Sequence, residues 1–247
     1  MAGFVLIHGA WHGGWSFDPV AERLRAGGHW VDTPDLPGMG GTEAELRAVT
    51  MEAWGRFTVE RCKAMRAQSG GPVVLVGHSR GGLVIGEAAE QAPQAIDALV
   101  YVCAMMLPAG VSRTDFKDIQ EPTPDYDAII RVQPHGAGTV IDPALAPAIF
   151  AQLSPPVAAA QAAARLVAEP TAPRLSPATI SEERWGTVPR TYIECTEDRT
   201  IPIASQRLMQ EMSPGSRVIS LPCDHSPFLS CPDALTEALI ACIPSPS

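Results

Sequence analysis

Five short apolar runs constrain the fold most: FVLIH (4–8), PVVLVGH (72–78), ALVYVCA (98–104), RTYIEC (190–195) and RVISLP (217–222). Each is apolar along most of its length instead of at every second residue, so the strand it forms must be covered on both faces. Between them lie stretches with helical spacing and start signals. These are 16–26 with Ser16 as N-cap, 51–68, 80–91, 203–212, and 232–243 with Pro232 near its start. WVDTPDL (30–36) adds another strand. The βαβα order predicts an α/β fold with a mainly parallel, doubly wound sheet, whose ligands bind at the carboxyl ends of its strands.

Residues 107–186 break this rhythm. They carry many prolines, little strand pattern and an alanine-rich helical piece, PPVAAAQAAARLVAE (155–169). Eighty residues are too many for a simple crossover. Apolar Ile129, Ile130, Phe150, Leu153 and Leu166 give the segment something to pack with. The expectation is an inserted helical cap over the sheet's carboxyl edge, with 1–106 and 187–247 forming the core of a single domain.

Composition removes several functions. The formal charge of −9, without a Lys/Arg cluster, repels phosphate backbones and argues against nucleic acid. No apolar run approaches the roughly 18 residues of a membrane span. The first residues show no basic stretch and no cleavage site, so no signal peptide is expected. Six cysteines without a C-x-x-C pair read as reduced thiols, and the expected compartment is the cytoplasm. A homodimer is left open.

The chemistry starts at VGHSRGGL. Ser79 follows a buried strand and precedes a helix, with Gly77 and Gly81 keeping the tight turn free of side chains, as a nucleophile elbow requires. A serine hydroxyl needs a base and an acid to orient that base. His225, in LPCDHSPF, follows the last strand on a loop that can return to the sheet's carboxyl edge. His78 neighbours Ser79 on a strand, where successive side chains point apart, so it is read as structural. His29 and His135 lack supporting context. For the acid, YIECTEDRTIP puts Asp198 three residues past a strand end, with Glu197 as the nearest rival and Glu194 inside the strand. The loop HGAWHGGW after the first strand would supply one oxyanion amide, at Ala10, and the residue after the nucleophile, Arg80, the other. That loop matches no phosphate-binding glycine pattern.

With these residues assembled, the chain resembles the α/β-hydrolase superfamily, and within it the branch of plant methylesterases, hydroxynitrile lyases and related bacterial esterases. The similarity spans nearly the whole chain and is strongest in FVLIHGAWHGGWSF, VGHSRGGL, YVCAMMLPAG, ECTEDRTIP with QRLM shortly after, and DHSPFL. Lyases of that branch carry Thr where this chain has Gly9, and Lys where it has Ser226, so the resemblance favours ester hydrolysis. It also implies two-step acyl transfer with neither metal nor organic cofactor. The elbow departs from the plant pattern in holding Arg80 where Leu is usual, which bears on pocket polarity. Cyanohydrin cleavage, or hydrolysis of a lactone, thioester or C–C bond, uses the same triad. A non-catalytic small-molecule receptor would be expected to show a damaged one.

Candidate pocket residues are Gly9, Trp11, Met105, Met106 and Leu107 near strand ends, with Phe150, Leu153 and Phe228 from the cap and histidine loop. Their character suggests a small to medium lipophilic or aromatic ester.

Overall fold

The structure, a computed structural model, describes residues 1–244. Its strands are β1 (Gly3–Ile7), β2 (Trp30–Asp32), β3 (Val73–His78), β4 (Ala98–Val102), β5 (Ile130–Val132), β6 (Gly138–Ile141), β7 (Glu169–Pro170), β8 (Arg190–Cys195) and β9 (Arg217–Leu221). The helices before β4 are α1 (Asp18–Ala26), α2 (Glu43–Ala48), α3 (Met51–Ser69) and α4 (Gly81–Gln91). Between β4 and β8 lie α5 (Arg113–Lys117), α6 (Pro124–Ala128), α7 (Ala146–Phe150), α8 (Pro156–Ala163) and α9 (Ala172–Leu175). The chain closes with α10 (Ile203–Met212), α11 (Pro227–Ser230) and α12 (Pro232–Ile240).

Six strands form one wholly parallel sheet in the order β2-β1-β3-β4-β8-β9. The continuous apolarity of its strands divides by residue parity. Val5, Ile7, Val73 and Leu75 join the core beneath α3 and α4, while Phe4, Leu6, Val74 and Val76 join the core beneath α1 and α12. Phe4 through Ile7 are fully buried, and each such large side chain contributes about 1.5–3 kcal/mol. Strand order reverses between β1 and β3, and a doubly wound sheet opens a ligand crevice at the carboxyl ends of the strands flanking such a reversal. The loop after β1 begins at His8, and the turn after β3 holds Ser79.

The segment between β4 and β8 is less helical than expected. Besides α5–α9 it holds an antiparallel sheet in the order β5-β6-β7, with Ile130 opposite Ile141. The alanine-rich helix stops at Ala163, well short of 169, and Glu169 is a strand residue. Tertiary pairing overrides helix propensity here: the Val167 amide donates to the Trp11 carbonyl, and Glu169 meets a buried arginine. Ser16 also differs from expectation. It lies in a 3-10 turn and donates its hydroxyl to the Gly13 carbonyl at 2.9 Å, and α1 begins two residues later at Asp18.

Of the expected apolar residues in this segment, Ile129 and Phe150 are buried in a small core with Trp11, and Ile130 and Leu166 pack against it. Leu153 stays 51% exposed.

Candidate active site

Among the described residues three non-glycine residues have positive φ: Trp11 (58°) in the loop after β1, and Ser79 (54°) and Cys103 (35°) directly after β3 and β4. Such conformations cost on the order of 1–3 kcal/mol each and concentrate at functional sites. Ser79 is held there by its amide donating to Val102 and by its carbonyl accepting from Met105 and Gly82. A Cβ on Gly77 would sit 2.7 Å from the Gly81 carbonyl oxygen, and one on Gly81 would sit 2.6 Å from that of Ile7. Both glycines are therefore required by close backbone approach.

His225 Nδ1–H donates to Asp198 Oδ2 at 2.7 Å, leaving Nε2 to accept the Ser79 hydroxyl at 3.0 Å. All three residues are buried, with Ser79 the most open at 7% exposed. The other oxygen of Asp198 accepts the amides of Thr200 (2.7 Å) and Ile201 (2.9 Å), which fixes the carboxylate. Gln206, from the QRLM stretch, braces the acid loop by bonding the backbone of Cys195 and Ile201. Glu197 is exposed, and Glu194 is engaged by Arg207, Gln210 and Ser220, so neither rival reaches His225.

The remaining histidines near the site are braces. His78 bonds the His225 carbonyl at 2.7 Å, which holds the histidine loop. His8 accepts the Leu36 amide and bonds the Gly9 carbonyl, and His12 bonds the Ala10 carbonyl at 2.7 Å. Burial pushes His8 down to about 3 and His12 to about 4, so both are neutral at pH 7. His78 and Cys103 come close to His225, but both His225 ring nitrogens already serve Ser79 and Asp198.

Asp224 anchors the same loop more heavily than its sequence context suggests. Fully buried, it accepts from the Ser226 amide and Ser230 hydroxyl with one oxygen, and from the Leu153 amide and Ser154 hydroxyl with the other.

Ser79 opens into a cavity enclosing about 440 Å³ of empty space, including its mouth. Ala10, Trp11 and Met105 line it with Leu83, Thr200 and Ile201. Four further lining residues, Arg113, Tyr126, Glu169 and Arg174, carry no motif and escape a reading of the sequence. The Arg80 side chain also lines it, stacking on Trp54 at 4.4 Å, donating to the Gly9 carbonyl at 3.3 Å and pairing with Glu169.

Several expected pocket residues sit elsewhere. Met106 and Leu107 line a second cavity, adjoining the first through Leu83 and Met105. Phe150 stacks on Trp11 and faces a separate cleft, Phe228 is buried in the core beneath α1 and α12, and the Leu153 side chain points to solvent. Gly9 contributes space, since a Cβ there would lie 2.8 Å from both Ser79 Cβ and His78 Nδ1.

The family model for the alpha/beta hydrolase family matches residues 4–238, and the chain belongs to that family. It is 33% identical to a pyrethroid hydrolase of Sphingobium wenxiniae (strain DSM 21828 / CGMCC 1.7748 / JZ-1), the match covering 95% of this chain and 85% of that protein. It is 32% identical to salicylic acid-binding protein 2 of Nicotiana tabacum, over 96% of this chain and 95% of that one. The crystal structure of a pyrethroid hydrolase from Sphingobium faniae JZ-2 superposes with a TM-score of 0.83 at 30% identity, covering 98% of this chain and 97% of that chain. The chain is an enzyme of the hydrolase class. Among the described residues, no helix is long and apolar enough to cross a membrane.

Proposed function

We propose that the chain is a serine esterase cleaving small to medium carboxylic esters with a lipophilic or aromatic body. The observation that carries this reading is His225 bridging Ser79 and Asp198, at 3.0 and 2.7 Å, beside an open cavity. Ser79 Oγ attacks the ester carbonyl carbon as its proton passes to His225 Nε2, and Asp198 stabilises the imidazolium. The amides of Ala10 and Arg80 stabilise the oxyanion, each worth about 3–4 kcal/mol of barrier. His225 then protonates the departing alcohol and takes a proton from the water that releases the acid. Every step uses groups of the chain and water.

In this reading residues 107–186 are a cap that shapes the cavity over a core of 1–106 and 187–247. Trp11, Leu83, Met105 and Ile201 supply its apolar surface. The same reading assigns the protein to the cytoplasm, supported by six unbridged cysteines, five of them buried.

The test is turnover of 4-nitrophenyl butyrate and of mandelonitrile, with fluorophosphonate labelling, by the wild type and Ser79→Ala. Ester turnover and labelling are expected, both lost in the variant. Labelling that survives in Ser79→Ala, or rapid cyanide release without ester turnover, would overturn the reading.

A further inference from the structure

Two arginines of the cavity have no part in acyl transfer. Arg113 is the first residue of α5, whose start is locked by a capping box in which the Ser112 hydroxyl accepts the Asp115 amide and the Asp115 carboxylate accepts the Ser112 amide. Its side chain lines the same cavity as Ser79 and is only 7% exposed. Among the described residues it makes no ion pair and no side-chain hydrogen bond, and its Nη1 is sealed from solvent without a partner. Arg174, on the α9 that packs against α5, lines the cavity too and likewise has no ion pair among the described residues.

The nearby acids are already taken. Glu169 is paired with Arg80, and Asp127 with Lys117 at 2.9 Å. Tyr126 is buried, which pushes its phenol up and keeps it neutral. The wall therefore holds three guanidiniums against one carboxylate. Burial lowers Arg113, and Arg174 adds to that lowering, yet a guanidinium starts so high that it keeps its charge. A charge taken out of water is costly unless paired, and an arginine fork fits a carboxylate with two parallel hydrogen bonds.

We propose that Arg113 and Arg174 bind a carboxylate at the non-reacting end of the substrate, so the preferred substrates are ester acids. The ester lies at Ser79, the apolar body against Trp11, Leu83 and Met105, and the carboxylate at the two arginines. This rests on the esterase reading of Ser79 and adds the chemical class of what it cleaves. The departure from the plant pattern at Arg80 belongs to the same feature, because Arg80 takes the ion pair with Glu169, and Arg113 and Arg174 form none among the described residues.

The experiment compares matched pairs. Mono-4-nitrophenyl glutarate is set against 4-nitrophenyl butyrate for an acid on the acyl side, and 4-butyryloxybenzoate against phenyl butyrate for one on the alcohol side. In at least one pair, kcat/KM is expected to be at least tenfold higher for the acid, and that ratio to fall toward one in Arg113→Met. Calorimetry on Ser79→Ala with monomethyl glutarate and dimethyl glutarate reads binding without turnover. The monoester is expected to bind more tightly, and this advantage to vanish in Ser79→Ala/Arg113→Met. A fluorophosphonate-labelled Ser79 with no acid preference in either pair overturns the inference and leaves the esterase standing. Equal loss of acid and neutral ester turnover in Arg113→Met, with the ratio unchanged, also overturns it. No labelling and no ester turnover overturns the esterase instead, while calorimetry still reads the arginines.

Discussion

Arg80, next to the serine of the elbow, forms an ion pair with Glu169 of β7 in which both side chains are buried, 7% and 2% exposed. The pair ties the sheet to the segment that covers it. Because Arg80 also holds the Gly9 carbonyl and stacks on Trp54, one side chain joins the elbow, the loop after β1, α3 and the segment between β4 and β8.

Glu169→Gln should therefore cost stability well beyond that of a surface substitution. Removing one partner of a buried pair typically costs about 3–5 kcal/mol, whereas replacing both by apolar groups is often neutral. Urea denaturation is expected to show that loss in Glu169→Gln and to recover most of it in Arg80→Met/Glu169→Leu. A single variant within about 0.5 kcal/mol of wild type would mean the pair is not the tie.

Gly9→Ala is expected to lower ester turnover at least tenfold, because the new methyl would sit 2.8 Å from Ser79 Cβ and must displace it or the loop. Overpacking of this kind costs about 1–3 kcal/mol. Steady-state kinetics alongside thermal melting checks both, and unchanged turnover would show that the loop has slack.

Stability should fall as pH drops from about 6.5 toward 4. His8 and His12 are lowered to about 3 and about 4 mainly by burial, and His78 is lowered well below its ordinary value for the same reason. Their contribution is complete above the unfolded histidine value of about 6.5, and is lost on acidification as the unfolded chain takes up protons that the folded chain excludes. Each histidine contributes a slope of up to about 1.4 kcal/mol per pH unit in that window. Chemical denaturation at pH 7, 6 and 5 measures it, and His12→Gln should flatten it. A stability unchanged from pH 7 to 5 would contradict the neutral, buried state of these rings.

What was legible in the sequence follows from local chemistry. Apolar runs two-sided in character could only be covered strands, and G-x-S-x-G between a strand and a helix left its serine little other geometry. Asp198 and His225 were readable because each lies just past a strand end, where a parallel sheet gathers its loops. The antiparallel β5-β6-β7 sheet was not readable, since its strands are two to four residues long and their pairing is non-local. Nor was the anchoring role of Asp224, whose four partners span residues 153 to 230.

The sequence by itself determined the sheet, the elbow and the three residues that meet beside it, because periodicity and turn chemistry act over a few residues. Only the tertiary structure decided the character of the cavity. Arg80, Arg113 and the Glu169–Arg174 stretch lie far apart along the chain, and whether each charge is solvated, paired or buried depends on which distant segment folds over it.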